Sequence, residues 1–356
     1  MTPMSMTAMI RHHKVRSRSM QARRDEALVA RVLSRRELYY ATGPHDQLDR
    51  PAFVRSGSGA AWVGKELAII QDDANFIALV DPATGAVRDV SLPADLDGRR
   101  QFDDERGNKA RKLDLEACFS VDSDDGRETR LIGLGSGSTA VRERIVTLRF
   151  SCRDSRDTPE DPVIRVSNAA TLYEALRART EFSGSELNIE GVVVLGNVLR
   201  LFQRGNGAPH GALVPIDATC DLDLEAFLAY LTDPQHIAPP AITNVVAYDL
   251  GTVDGSRLTF TDACGTATGS MLYLAAAEDS PDVTRDGPVA GLAVGVIDAA
   301  EARYTLLVDA NGSPLKDKAE GIALVRDAEG LAYVVVDPDS PHAPCTLMTI
   351  ELTGTW

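Results

Sequence analysis

LNIEGVVVLGNVLRLFQRGNG, residues 187–207, decides the fold. It pairs one β-rich run, carrying Glu190-Gly191, with a second run that ends in the polar turn Arg204-Gly205-Asn206-Gly207. Short apolar runs punctuated by Gly, Asn and Asp read as strands joined by tight turns. The same phrase recurs along the chain. SGSGAAWV (56–63) precedes ELAIIQDDAN (66–75), and LDLEACFSV (113–121) precedes RLIGLGSGS (130–138). LTFTDACGT (258–266) precedes MLYLAAAEDS (271–280), and KAEGIALV (318–325) precedes LAYVVVDPDS (331–340). Self-similarity at a fixed period is the signature of a repeat architecture, and five phrases predict an all-β, five-bladed β-propeller.

A third run follows each phrase: FIALVDPATG, RIVTLRFS, ALVPIDA, GLAVGVIDA and TLMTIEL. Four repeats have room for a fourth strand; the last ends with the chain at Trp356. The N-terminal run ALVARVLSRREL (27–38) supplies that strand, and closing the ring removes exposed sheet edges. A six-bladed ring with one diverged blade is the alternative, whereas a two-sheet sandwich leaves the four-run unit unexplained. Thr171–Arg179 and Leu222–Leu231 read as helices inserted between strands. Residues 1–26 read as a disordered basic leader, and 27–356 as one propeller domain.

The net charge of −15 disfavours a nucleic-acid partner for the folded body. No run is apolar enough to cross a bilayer or serve as a secretory core. Five scattered cysteines lack the spacing of a disulfide framework or a zinc site, which suits a bacterial cytoplasm.

Aligning the phrases places Ser58, Glu116, Glu190, Asp262 and Glu320 at one position of the first strand. First strands of blades lie beside the axis, so these oxygens converge there. Gathered carboxylates repel unless a cation or hydrogen-bond donors compensate. An all-oxygen donor set suits calcium over metals that prefer imidazole or thiolate. The competing reading is structural: the acids accept backbone N–H groups or pair with Lys109, Lys112 or Lys318.

Turns after the second strands share a face with the segments entering each first strand. That mouth gathers Asp72, Asp73, Arg204, Asn206 and His210 with Lys109, Lys112 and Lys318. Such a mixture binds a metal-bridged phosphate or another small anion, with a protein ligand as the rival partner. Asp, Asn and Ser are also ordinary turn residues, so the long cations Arg204 and Lys109 are the more informative ones. GAAWVGK (59–65) has P-loop spacing, but Glu66 stands where Ser or Thr is required and no helix follows. DSDDG (122–126) lacks the later glutamate of a calcium loop.

At RSGSGAAWVGKELAIIQDDANFIALVDPATG (55–85), GNKARKLDLEACF (107–119), GSELNIEGVVVLGNVLRLFQRGNG (184–207) and KAEGIAL (318–324), the chain resembles an uncharacterised bacterial family of propellers. The resemblance runs from about Arg50 to the C-terminus and implies no reaction. The LEA, IEG and AEG phrases are similar to the inner strands of esterase-like phytase proteins. In architecture the chain resembles calcium-activated nucleotidases, the animal apyrases, whose axial calcium is held by Ser and Glu from successive inner strands. That resemblance implies calcium at Ser58, Glu116, Glu190 and Glu320. Asp262 departs from the pattern, since Ser is expected there, and Thr261 offers a hydroxyl instead.

These readings converge on a calcium-binding propeller that hydrolyses a phosphate ester or similar small anion. Lys109, Lys112, Arg204, Asn206 and Lys318 bind the substrate, and Asp72 or Asp73 acts as base. A non-catalytic binding module with a structural ion and a lactonase-like hydrolase are the alternatives.

Overall fold

A computed structural model of the chain describes residues 18–123, 125–151, 161–278 and 287–356, and these are predominantly β-strand. After β1 (Arg18–Arg24) and β2 (Val29–Glu37), a first antiparallel meander comprises β3 (Gly57–Val63), β4 (Glu66–Gln71), β5 (Phe76–Val80) and β6 (Val87–Ser91). The second comprises β7 (Leu115–Asp122), β8 (Glu128–Gly135), β9 (Arg144–Ser151) and β10 (Val163–Asn168). Helices α1 (Ala170–Ala178) and α2 (Thr180–Ser183) lead into the third, β11 (Ile189–Leu195), β12 (Val198–Gln203), β13 (Asp217–Asp223) and β14 (Thr243–Asp249). Helix α3 (Leu224–Thr232) sits between β13 and β14. A two-residue strand, β15 (Thr252–Val253), opens the fourth meander, β16 (Ser256–Gly265), β17 (Met271–Glu278), β18 (Val289–Ile297) and β19 (Ala302–Val308). The chain ends with β20 (Lys318–Leu324), β21 (Leu331–Asp337) and β22 (Thr346–Thr353), beside which β2 lies antiparallel as a fourth strand.

The first strands pack side by side, β3 on β7, β7 on β11, β11 on β16, β16 on β20 and β20 on β3, in a propeller arrangement. Apolar cores fill the gaps between successive meanders: Ile70 and Leu79 meet Leu131 and Val146, and Phe202 and Tyr248 meet Phe260 and Tyr273. Phe260 is wholly buried and makes edge contacts with Phe202, Tyr248 and Tyr273, at 5.1–5.4 Å between centroids. Such edge-to-face pairs add to the burial of aromatic area.

The acidic-Gly phrase has a packing cause. A Cβ on Gly191 would stand 3.1 Å from the Ala263 nitrogen of the neighbouring first strand. One on Gly321 would stand 3.1 Å from Val335 and 3.2 Å from the Gly59 carbonyl carbon. Glycine is used where backbones approach this closely.

Two expectations shift. ALVPIDA (212–218) straddles a loop, and the third strand starts only at Asp217, because Pro215 has no N–H to give a ladder. Arg18–Arg24, read as the end of a leader, form β1, which pairs parallel with β14 and then with β19. Residues 1–17 of that leader lie outside the described residues.

Candidate metal centre

All five first strands break register at one place. Ladder pairing jumps over Ser58, Glu116, Glu190, Thr261 and Glu320, each the extra residue of a β-bulge. A bulge re-aims a side chain out of the alternating pattern. The fourth member of the ring is therefore Thr261, one residue before the expected Asp262. Asp262 instead ties β16 to β20, where its Oδ2 accepts the Ile322 N–H at 2.7 Å, and burial raises its carboxyl well above the ordinary range.

The two hydroxyls of the ring seal neighbouring strands. Ser58 Oγ donates to the Leu115 carbonyl and Thr261 Oγ1 to the Ala319 carbonyl at 2.8 Å, in each case the residue preceding the next strand's bulged glutamate. Glu190 Oε1 accepts from Asn188 Nδ2 at 2.6 Å and lies 3.4 Å from Arg204 Nη1. Glu320 Oε1 is 3.2 Å from Lys318 Nζ and 4.0 Å from Arg204 Nη1.

Glu116 differs from both. It is 9% exposed, yet makes no hydrogen bond or ion pair among the described residues. Its carboxylate forms, with Asp72 and Asp114, a group whose ligand oxygens all lie within 4.8 Å of one another. Lys112 Nζ reaches Asp72 Oδ2 and Asp114 Oδ1, both at 2.7 Å, but the buried Asp72 Oδ1 has no partner. Asp114 is also held 3.1 Å from Arg142 Nη1 and adopts φ 57°, a left-handed conformation that Asp tolerates better than most residues.

Burial dominates the acidity of these groups. It raises Glu116 well above the carboxylate range, reinforced by Asp114, Asp72 and Glu190. It raises Glu190 to about 8; Arg204 opposes this and Glu320 adds to it. Glu190 thus feels the charge of Glu320, and Glu116 that of Glu190, as converging first strands require. An orphaned buried oxygen and an unpartnered buried carboxylate in an all-oxygen cluster fit a hard divalent cation such as calcium.

The mouth residues are arranged differently from the sequence expectation. Lys112 and Arg204, both buried, and the partly buried Lys318, all expected to face a substrate, are spent on carboxylates: Lys112 on Asp72, Asp73 and Asp114, Arg204 on Glu190, Glu278 and Glu320, and Lys318 on Glu320 and Asp337. A long cation in a low-dielectric site pairs with the carboxylates already there before it can serve a ligand. Asn206 Oδ1 accepts from Asn188 Nδ2 at 3.2 Å and so helps orient the amide that holds Glu190. Asp72 and Asp73 are both bonded to Lys112, at 2.7 and 2.8 Å. Lys109, 3.9 Å from Asp104, and Asp73 line an open cleft of about 530 Å³ with Arg55, Asp103 and Asp339.

Sequence reading missed Asp114 and Arg142, whereas Glu278 was among the turn residues expected at the mouth. Asp114 was within reach, because it lies two residues before Glu116 in LDLEA, as Ser56 lies two before Ser58, and both have positive φ.

No curated protein matches the chain. Among solved structures, a mannose phosphorylase from Leishmania mexicana is 13% identical, with TM-score 0.41 and coverage of 90% of this chain and 88% of that one. The calcium-binding protein regucalcin from Agrobacterium tumefaciens is 10% identical, with TM-score 0.40 and coverage of 96% and 98%. A gluconolactonase from Xanthomonas campestris is 11% identical, with TM-score 0.36 and coverage of 91% and 97%. Likenesses at this level transfer no residue roles. One family match is extensive: residues 53–352 fit the family of unknown function DUF6929, and the chain belongs to it.

Proposed function

We propose that the five meanders are the blades of one closed propeller, with β2 completing the last, and that the protein binds calcium at the axis and uses it to hydrolyse a small anionic substrate such as a phosphate ester. The observation that carries the metal reading is the pair of unsatisfied acids, Glu116 and Asp72 Oδ1, in a cluster with Asp114. In this reading Glu116, Asp72 and Asp114 hold the ion, and Glu190 and Glu320 face it from their own first strands.

A divalent ion there supplies Lewis acidity toward a substrate oxygen and lowers the pKa of bound water. The chain's part is to orient and to exclude. Lys112 and Arg204 tie and orient the carboxylates, Ser58 and Thr261 lock the strands, and Lys109 at the rim offers a charge to an incoming anion. Asp73, which lines the cleft, is the candidate base.

The second reading is a calcium-fastened module without turnover. The engagement of Lys112, Arg204 and Lys318 in internal pairs favours it, since little protein charge is left for a substrate. A panel of phosphate esters, carboxylic esters and lactones, assayed with calcium and with chelator, separates the two. Turnover that disappears with chelator and in Glu116→Gln supports the enzyme. A chelator-induced drop in melting temperature with no turnover on any substrate supports the fastener.

A further inference from the structure

The first strands line a second site, at the end of the channel opposite the bulge ring. Its walls come from all five of them, two to five residues beyond each bulge: Ala60–Trp62, Cys118–Ser120, Val192–Val194, Ala263–Gly265 and Ala323–Val325. The cavity measures about 380 Å³, within the range of small-molecule pockets. Alanines and valines are the commonest residues of its lining, Ser120 and Thr266 add hydroxyls, and Arg326 is the charged residue among them.

Arg326 is an exposed side chain that lines this pocket. Its guanidinium carbon lies 5.0 Å from the centre of the Trp62 ring, and one nitrogen donates to the Gly64 carbonyl. No carboxylate of the described residues forms an ion pair with it. Desolvation pulls its pKa below the ordinary arginine value, with Asp122 and Asp327 acting in the opposite direction from farther away. Arg204 is spent on acids, whereas Arg326 stands at the rim of this pocket with its guanidinium over an aromatic face. Trp62 donates its indole N–H to the Leu324 carbonyl at 2.9 Å, which fixes the ring that Arg326 rests on.

We propose that this far-end pocket binds a small carboxylate with an apolar body, the carboxylate on Arg326 and the body against Trp62 and the valines and alanines of the first strands. A guanidinium pairs with a carboxylate in a two-pronged geometry, and an apolar wall rewards an aryl or medium-length alkyl group. The pocket is independent of the acidic end. At the mouth Lys112, Arg204 and Lys318 are paired with carboxylates; here Arg326 makes no carboxylate pair among the described residues.

Phenylacetate and octanoate are the probes, with phenylacetamide as the uncharged control. Calorimetry gives the affinity. In a Trp356→Phe background the fluorescence comes from Trp62, since the chain has 2 tryptophans. The proposal expects saturable binding of both anions with a change in Trp62 emission, and affinity about tenfold weaker for phenylacetamide and in Arg326→Gln. Absence of saturable binding by either anion overturns it. Equal binding of the amide, or unchanged affinity in the folded Arg326→Gln protein, overturns it as well.

Discussion

Arg204 Nη1 stands 3.4 Å from Glu190 Oε1, and the same guanidinium reaches Glu278 from the end of β17 and, at 4.0 Å, Glu320 on β20. One side chain thus ties acids from the third, fourth and fifth meanders. Removing one partner of a buried ion network leaves the others uncompensated and costs about 3–5 kcal/mol. Arg204→Met therefore lowers the melting temperature by about 4–7 °C at neutral pH. Thermal denaturation followed by circular dichroism checks it, and an unchanged melting temperature counts against the network.

The Glu190 carboxyl carries a pH signature. Its ordinary value is 4.5 and burial lifts it to about 8 in the folded chain. Between these values the folded state keeps a proton that the unfolded state has lost, so stability falls as pH rises through that window and levels off above it. Chelator-treated protein, denatured with urea at several pH values from about 4.5 to 8.5, should show this decline. Glu190→Gln should flatten it, and a stability that instead rises across the window contradicts the assignment.

Packing at the bulges makes a third expectation. Gly321 is flanked at 3.1–3.2 Å by Val335 and the Gly59 backbone, so Gly321→Val forces β20 away from β3. Overpacking of this kind costs about 1–3 kcal/mol. The matched change Gly196→Ala, at a turn where nothing lies within 4 Å of a Cβ, meets only the backbone strain of its φ of 61°. Urea midpoints of the two variants should therefore differ, with Gly321→Val the lower.

Much of this was legible in the sequence, and for a physical reason. The repeated phrase follows from packing that every first strand experiences alike: small residues where backbones touch, an acid or hydroxyl at the bulge, a polar turn afterwards. Ser58, Glu116, Glu190 and Glu320 could be aligned because they share that environment. The choice of Asp262 over Thr261 failed because a bulge is a backbone register event with no fixed residue, and the acid beside it drew the alignment. The pairing of Lys112, Arg204 and Lys318 was illegible, since sequence shows a charge but not which carboxylate lies beside it. Strand β1 was hidden by its own composition: in RSMQARR, arginines cover an outer edge instead of a core.

The N-terminal strands lace the outer edges of three meanders. β1 bridges β14 to β19, and β2 covers β22. A chain starting at Asp25 should fold with a lower melting temperature, because it loses β1 alone. A chain starting at Leu38 should be recovered aggregated, because β22 becomes an open edge of paired-strand length. Size-exclusion chromatography of both truncations distinguishes these outcomes from equal behaviour, which would deny β2 its role.

Calorimetric titration of chelator-treated protein with calcium addresses the axial cluster itself. The wild-type chain should take up one ion, and the isosteric Glu116→Gln should bind it about 10- to 100-fold more weakly while keeping its fold. A wild-type chain that takes up no calcium, or a Glu116→Gln variant that binds it equally well, would contradict a metal centre built on Glu116.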